Sequence, residues 1–431
     1  MGVPTDPGAA GPEDAVRDDD LQQFLLYLGS ALTAAGEAVN EIEVHLRHVA
    51  RAYGARHARF AVLPTFIVVS LEPGRPATLE PTRQLRGVLR LDQIARIFQI
   101  LNTAEDGAIA PDVGIQAVLD AVDMPPRFGW LGTALGHGAM ACGICLVLQP
   151  AWGDVALATV FGVLVGLLKV AGGRWRRTQM LLPVACAFVV SAITFGLARN
   201  GWVSPDIRAL IAPLVTFLPG AALTMGVIEI SAAEIVTGAT RLVSGVLQLL
   251  LLAFGIVAAA QAFGLPSARD LLASPSPEVL GAWSPWLGVI VFAVGVYFYS
   301  SAPRRSFLGL FLVLGVAFVG QQAGNALLGG YLGGFVGAFV MTPTARIVER
   351  TRIGPPALVT FLPAFWLLVP GAIGLIGVTE YIASKSTAGL DDFITTLGAM
   401  LSIAIGVLCA YPLVDASINE VQRLRTKRSA Q

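Results

Sequence analysis

A series of apolar runs begins after Pro126 and continues almost to the end of the chain. A helix that spans a membrane needs about 20 mostly apolar residues. Only 13% of the 431 residues are charged, about half of what a soluble domain carries. We therefore predict an α-helical polytopic membrane protein. The runs predict about ten transmembrane helices, at residues 131–149, 153–170, 179–197, 208–228, 242–263, 285–300, 306–321, 325–342, 357–379 and 392–412.

The chain before these runs differs in charge and in pattern. Residues 1–127 hold 17 acidic residues against 11 arginines, whereas the remainder is basic. Residues 1–19 are rich in Pro, Gly, Ala and Asp and lack the apolar core of a signal peptide, which predicts a disordered tail. Residues 20–127 predict a small cytoplasmic α+β domain. Its predicted elements are one long helix at 20–53, one or two strands within 59–71, and helices at 91–103 and 113–122.

The positions of lysine and arginine predict the orientation in the membrane. Cytoplasmic loops carry an excess of these residues. With the acidic domain in the cytoplasm, the segments predicted to lie inside hold most of the cations of the membrane part, including Lys169, Arg241 and Arg346. We therefore predict a multi-pass protein of the cell (inner) membrane with both termini in the cytoplasm. Residues 264–284 would form an extracytoplasmic linker and residues 416–431 a basic cytoplasmic tail.

Two short stretches within the apolar runs nearly copy each other. Pro219-Gly220-Ala221 leads to Glu229, Pro370-Gly371-Ala372 leads to Glu380, and 6 of 11 positions match. Similar Trp-Leu-Gly triplets at 130–132 and 286–288 open two sets of five predicted helices. We therefore predict two five-helix repeats, residues 128–263 and 285–415. An odd number of helices inverts the second repeat, as in many transporters whose sites lie at interrupted helices.

The Pro-Gly pairs mark the candidate substrate site. Proline removes a backbone hydrogen bond within a helix, and polar groups left unpaired in lipid cost several kcal/mol each. One interpretation is an unwound segment that binds polar groups of a substrate, and the other is a packing kink. Gln321 and Gln322 with Asn325 more simply mark a helix end. The candidate substrate-binding residues are Pro219, Gly220, Thr224, Arg241, Asn325, Pro370 and Gly371.

Ionisable residues within or beside the apolar runs are candidates for proton coupling. A partly buried carboxylate can load and release a proton, although Glu229 and Glu380 could also be interfacial acids exposed to water. Glu234 and Arg241 are seven residues apart and would pair in a helical link. His137 is either a proton relay or a hydrogen-bonded packing residue. The candidate proton-coupling residues are Glu229, Glu234, Glu380 and His137.

Motifs for nucleotide binding and for hydrolysis are missing from the sequence. His45 and His48 lie near Glu41 on one helix, but zinc needs further ligands. We therefore predict no enzyme activity, cofactor, metal or nucleic-acid partner.

Several segments resemble the threonine/serine exporter family. The resemblance begins at residues 26–38, continues at 64–70, and is most specific at Leu218-Pro219-Gly220-Ala221-Ala222-Leu223-Thr224 with Glu229, Glu234, Gly238, Arg241 and Gly245. Some members of the family are similar to this chain split into two subunits, one per half, which agrees with an internal repeat. The resemblance implies a cytoplasmic N-terminal domain before ten spanning helices. It also implies export of threonine and serine driven by the proton gradient.

The leading hypothesis is a secondary active exporter of small hydroxy amino acids by proton antiport. Its partners would be the amino acid, protons and the lipid bilayer, with formation of a homo-oligomer left open. Two alternatives use the N-terminal domain instead, a membrane-anchored hydrolase and a sensory membrane protein.

Overall fold

The computed structural model describes residues 12–72, 78–81, 89–148, 151–173, 176–200, 202, 207–263, 280–329, 332–351, 354–368, 375, 378–379 and 394–412. Contacts divide the chain into two compact units. The first unit comprises Met1–Pro125 and Ala232–Thr237, and the second comprises Pro126–Ser231 and Gly238–Gln431.

The first unit combines helices with a small antiparallel sheet. Its elements are α1 (Pro12–Ala35), α2 (Val39–Ala52), β1 (Arg59–Val62), β2 (Phe66–Ser70), β3 (Thr78–Pro81), α3 (Leu91–Glu105) and α4 (Pro111–Val122). Apolar side chains from α1, α2, β2 and α3, such as Phe24, Leu46, Ile67 and Leu101, are fully buried. The helical spacing of these residues in the sequence therefore reflects faces that pack into one core.

The single helix predicted at residues 20–53 is wrong, because two helices occupy this stretch. Gly36 adopts a φ of +89°, in the left-handed region that glycine tolerates. Its N–H donates to the carbonyl oxygen of Thr33, and that of Glu37 donates to Leu32. These bonds end α1 one turn before α2 begins. At its other end α1 starts at Pro12, within the stretch predicted as a disordered tail.

The sheet has three strands in the order β1-β2-β3, both pairs antiparallel. Arg59 pairs with Ser70 across the first hairpin, and Phe66 pairs with Pro81 across the second pair of strands. Of the one or two strands predicted within residues 59–71, two are present, and a third lies beyond them. β3 was not predicted because it is short and ends in proline, which occurs at sheet edges.

The second unit is built from apolar helices. They are α5 (Gly129–Val147), α6 (Trp152–Gly172), α7 (Arg176–Arg199), α8 (Ile207–Ile211), a 3₁₀ helix (Ala212–Phe217), α9 (Gly220–Ser231), α10 (Ile235–Ala262), α11 (Ser284–Tyr299), a 3₁₀ turn (Arg304–Ser306), α12 (Phe307–Leu328), α13 (Leu332–Glu349), α14 (Ala357–Leu367) and α15 (Ile394–Pro412).

Six helices in the described part of the chain are long and apolar enough to cross a membrane, or seven if one bent pair counts as a span. That pair joins Ala209–Phe217 to Gly220–Ser231 at an angle of 51°. Two further apolar helices, α11 and α14, are shorter. The number of ten spans therefore remains a prediction.

The helix end predicted at Gln321, Gln322 and Asn325 is wrong. α12 continues through these residues to Leu328, and the chain turns at Gly329, where φ is +72°. The change from apolar to polar residues at Gln321 therefore did not end the helix, whereas the later glycine, Gly329, did.

The helices that open the two predicted repeats, α5 and α11, pack against each other backbone to backbone. Gly143 faces Gly288 and Phe292, whereas Gly136 faces Gly295 and Tyr299. Increasing residue number on one helix thus meets decreasing number on the other, so the two helices run antiparallel. Glycine permits this close approach because a Cβ at these positions would overlap the neighbouring backbone.

Candidate functional site

The first Pro-Gly pair lies at the bend between the 3₁₀ helix and α9. Leu218 has extended backbone angles, and Pro219 accepts the N–H of Leu223 as the new helix begins. In the first turn of α9, the side chain of Thr224 is fully buried. Its hydroxyl has no hydrogen-bond partner among the described residues. A buried hydroxyl left unpaired costs about 1–3 kcal/mol, so this position favours a polar ligand or water.

A buried ion pair joins α9 to α10. Nε of Arg241 lies 2.9 Å from Oε2 of Glu229, whose side chain is fully buried, while that of Arg241 is 20% exposed. The two helices come close where a Cβ on Gly238 would lie 2.5 Å from the carbonyl oxygen of Gly226. Glu229 is therefore not a water-exposed interfacial acid.

Arg241 forms its ion pair with Glu229. The seven-residue spacing had instead indicated Glu234 as a partner in the case of a helical link. Glu234 is half-buried in the Ala232–Thr237 link, which groups with the first unit. There burial raises the pKa of Glu43, and the negative charge of Glu234 adds to the rise. Glu234 thus acts on a carboxylate of the first unit.

His137 lies in the middle of a polar network that includes Thr216 of the 3₁₀ helix before the bend. Its Nδ1 lies 2.9 Å from the carbonyl oxygen of Gly162, and its Nε2 lies 2.9 Å from Oγ1 of Thr216. The carbonyl can only accept, so Nδ1 carries the proton. Nε2 of the neutral ring then accepts the hydroxyl proton of Thr216. The ring is fully buried and packs edge-on against Tyr299.

Lys169 completes this network and was missed as a candidate. Its Nζ donates to Oγ1 of Thr216 at 2.7 Å, and it lies 4.5 Å from the ring centre of Phe217 and 5.1 Å from that of Tyr299. Lys169 was predicted to lie in a cytoplasmic segment, but it belongs to α6 and its side chain points to the bend. A lysine inside an apolar run was the signal that could have found it.

The second break, predicted at Pro370-Gly371, lies outside the described residues, but the end of the helix before it makes a similar polar contact. Nε2 of Gln321 on α12 donates to the carbonyl oxygen of Leu368, just beyond α14, at 3.1 Å. Gln321 and Leu368 are 47 residues apart, the same separation as Lys169 and Thr216. α14 also packs against α9, the helix that follows the first break.

The remaining predicted residues are not part of this cluster or cannot be placed. Pro370, Gly371 and Glu380 lie outside the described residues. Asn325 is exposed near the end of α12, where its amide contacts Gln322.

Two histidines of the first unit lie within ion-pair distance of the same glutamate. Nδ1 of His45 lies 2.8 Å from Oε1 of Glu105, and Nδ1 of His48 lies 3.9 Å from the same atom. In the described part of the chain, no three His, Cys, Asp or Glu side chains are grouped in a way that could hold a metal ion.

The apolar helices, the bent span and the buried charges of the second unit define a polytopic α-helical membrane protein. The chain belongs to the threonine/serine exporter family: the family model, described as "Putative threonine/serine exporter", matches residues 23–263. The match covers the first unit from residue 23 onward and the apolar helices through α10.

Curated relatives are more distant. The chain is 22% identical to pheromone-regulated membrane protein 10 of Yarrowia lipolytica over 396 residues, which is 87% of this chain and 32% of the relative. The protein of that name from Zygosaccharomyces rouxii is 22% identical over 68% of this chain and 31% of the relative. An uncharacterised protein of Schizosaccharomyces pombe is 23% identical over 56% of this chain and 33% of the relative. This chain thus spans about a third of the length of the relatives it matches. No solved structure matches it significantly.

Proposed function

We propose that the protein exports small hydroxy amino acids, threonine and serine, in exchange for protons. It would reside in the cell membrane with both termini in the cytoplasm. Membership of the exporter family supports this class of function. The observation that carries the proposal is the buried Glu229–Arg241 pair beside a broken membrane span.

The ion pair supports a role for Glu229 in proton coupling. Its carboxylate is fully buried and is balanced by one guanidinium from the next helix. A proton on Glu229 would cancel its charge and release Arg241. Proton loading and movement of α9 against α10 would then be one event, which is what an antiporter requires.

The bend supports the binding of a hydroxy amino acid. Thr224 offers a buried hydroxyl with no partner among the described residues, one turn beyond Gly220. A substrate hydroxyl can both donate to and accept from such a group. Discontinuous helices near the midplane supply sites of this kind in secondary transporters.

The packing of the two predicted halves supports alternating access. The antiparallel contact of α5 with α11 and the equal spacing of the polar contacts at the two breaks agree with an inverted repeat. In such folds, one repeat rocks against the other around a fixed site.

Flux measurements in proteoliposomes test the proposal. We expect a pH gradient to drive labelled threonine through the full-length protein. Glu229→Gln should abolish the response to the gradient and retain threonine–threonine exchange, because exchange needs no net proton movement. Glu349→Gln is the matched control, since Glu349 pairs with Arg346 in the same unit but is 29% exposed.

Two results would contradict different parts of this proposal. Gradient-driven flux that is unchanged in Glu229→Gln would remove Glu229 from proton coupling. An active protein that transports neither threonine nor serine would show that the substrate class is wrong.

A further inference from the structure

The ammonium group of Lys169 lies at the first break without a carboxylate partner among the described residues. A lysine has three N–H donors, and only the contact with Thr216 uses one of them. By contrast, Arg241 and Arg346 of the same unit each lie within ion-pair distance of a glutamate. Lys169 is thus a cation without a counter-charge from the described side chains.

The surroundings of Lys169 stabilise a positive charge but do not neutralise it. The rings of Phe217 and Tyr299 face the ammonium group at 4.5 and 5.1 Å. Aromatic faces attract cations through their quadrupole and carry no net charge. They shield Lys169 from apolar neighbours and leave its remaining donors to another acceptor.

The hydrogen bonds beyond Lys169 contribute no negative charge either. They run in one direction, from Lys169 to Thr216, from Thr216 to neutral His137, and from His137 to the carbonyl of Gly162. The hydroxyl proton of Thr216 and the ring N–H of His137 each have an acceptor. Within the part of the chain that the structure describes, no anion accepts from the two remaining N–H donors of Lys169.

The second break differs in this respect. At the corresponding 47-residue spacing, the neutral amide of Gln321 replaces the lysine and contacts a backbone carbonyl at a helix end. The first break thus presents a cation, whereas the end of α14 presents a neutral amide and a carbonyl with its partial negative charge. An amino acid has one negative and one positive end and would match this difference.

We propose that Lys169 binds the carboxylate of the transported substrate. This inference rests on the proposed function and assigns one end of the substrate to one side chain. Thr216 and His137 position the ammonium group, and Phe217 and Tyr299 enclose it.

Chemical modification of lysine tests the site without transport. The full chain has three lysines, Lys169, Lys385 and Lys427, so acylation in detergent can be followed at each one by peptide mass spectrometry. The probes are threonine, lactate, which lacks the ammonium group, and threoninol, which lacks the carboxylate. At about ten times its Kd, a carboxylate ligand should slow acylation of Lys169 about tenfold. Threoninol should not slow it, and Lys385 and Lys427 should react at unchanged rates.

A transport assay tests the same inference on variants. Lys169→Gln should raise the KM for threonine about tenfold or more, because a charge-assisted hydrogen bond is lost. Lys169→Arg should keep the KM within a few-fold. Arg346→Gln is the matched control, since this cation also faces a ring, that of Tyr411 at 5.5 Å, but already pairs with Glu349.

The outcomes separate the inference from the proposed function. Acylation of Lys169 that no carboxylate slows, or that threoninol slows equally, would overturn the inference even if threonine is transported. Protection by lactate in a protein that transports no threonine would support the site and refute the substrate. If Lys169→Gln does not fold, the protection assay on the unaltered protein still shows whether a carboxylate binds at Lys169.

Discussion

One pair of full charges inside the second unit, Glu229 and Arg241, is balanced across two helices. Inserting a charged residue at the centre of a membrane helix costs about 2.5–3.5 kcal/mol on insertion scales. Glu229 and Arg241 share this cost across two neighbouring helices. A pair so placed is sensitive to the loss of one partner, which leaves the other charge buried alone.

In the first unit, the pair between His45 and Glu105 predicts a dependence of stability on pH. Burial alone lowers the pKa of His45, but the hydrogen bond that its ring donates to Glu105 and the charges of Glu105, Glu37 and Glu41 raise it overall. A raised pKa in the folded state stabilises the fold below the ordinary value of about 6.5. This contribution is lost as the pH rises through the folded-state pKa.

We therefore expect His45→Gln to lower the melting temperature of the full chain more at pH 6 than at pH 9. The difference should correspond to less than about 1 kcal/mol, because the pair is partly exposed. Thermal melts in detergent measure it. His48→Gln is the control, since His48 is half-exposed and 3.9 Å from Glu105. An equal effect of His45→Gln at both pH values would show that the pair does not titrate as described.

Some of the polar residues at the bend could be identified from sequence, and others could not. His137 and Thr224 stand out because they are polar within apolar runs, and both are buried in the structure. Lys169 was missed because a cation three residues before a helix end is usually an orientation signal. Only the structure shows its long side chain directed to Thr216.

Among the helix contacts, that of α5 with α11 depends on four glycines. At Gly136, Gly143, Gly288 and Gly295, the partner helix's own backbone approaches the position of a missing Cβ. Close backbone approach through small residues is a common basis of helix association in membranes, where apolar burial between helices contributes little.

Gly143→Ala should accordingly destabilise the protein. The new Cβ would lie 2.5 Å from the amide nitrogen of Phe292 and 2.7 Å from the carbonyl oxygen of Gly288. Backbone cannot rotate away as a side chain can, so we expect a loss of about 1–3 kcal/mol or more. Thermal melts in detergent provide the measurement.

Gly315→Ala is the matched control for this substitution. Gly315 lies within α12, and a Cβ there meets nothing within 4 Å. Alanine favours the helix by up to about 1 kcal/mol, so this variant should be as stable as the unaltered chain or more so. Two variants of equal stability would show that the glycine contact is not tight.

Whole elements were easier to predict from sequence than their ends. Apolar runs identified α5, α6 and α10 because a spanning helix must be apolar over its full length. The ends of α1 and α12 depended on single glycines, Gly36 and Gly329. Their positive φ angles cannot be read from the amino-acid composition. The short strand β3 depended on pairing with β2, a contact that local sequence does not reveal.

At the scale of the whole molecule, the equal spacing of contacts suggests how the second unit is organised. Gln321 follows Lys169 by the same number of residues as Leu368 follows Thr216. The repeated Pro-Gly motif is visible in the sequence. The helices that contact the region of each motif can be recognised only from their packing in the structure. The proposal of two inverted halves predicts the side of the membrane on which each connecting segment lies.

Thiol labelling of intact cells tests this topology. The four cysteines are first replaced, and single cysteines are then introduced at Ser276, in the predicted outside linker, and at Ala233, in the link after α9. We expect a membrane-impermeant reagent to label Ser276→Cys in intact cells. Ala233→Cys should react only after the membrane is opened. Labelling of Ala233→Cys in intact cells would show that the link after α9 lies outside, opposite to the predicted orientation.

The cation at Lys169 also has an electrical consequence. The Glu229–Arg241 pair is neutral as a whole, whereas Lys169 has only a hydroxyl and two aromatic rings as described partners. A membrane potential acts on a net charge with about 2.3 kcal/mol per 100 mV for a complete crossing. Voltage would therefore bias any step that displaces α6 along the membrane normal while the site is empty. A bound carboxylate would cancel that bias, so the empty and loaded carrier would respond to voltage differently.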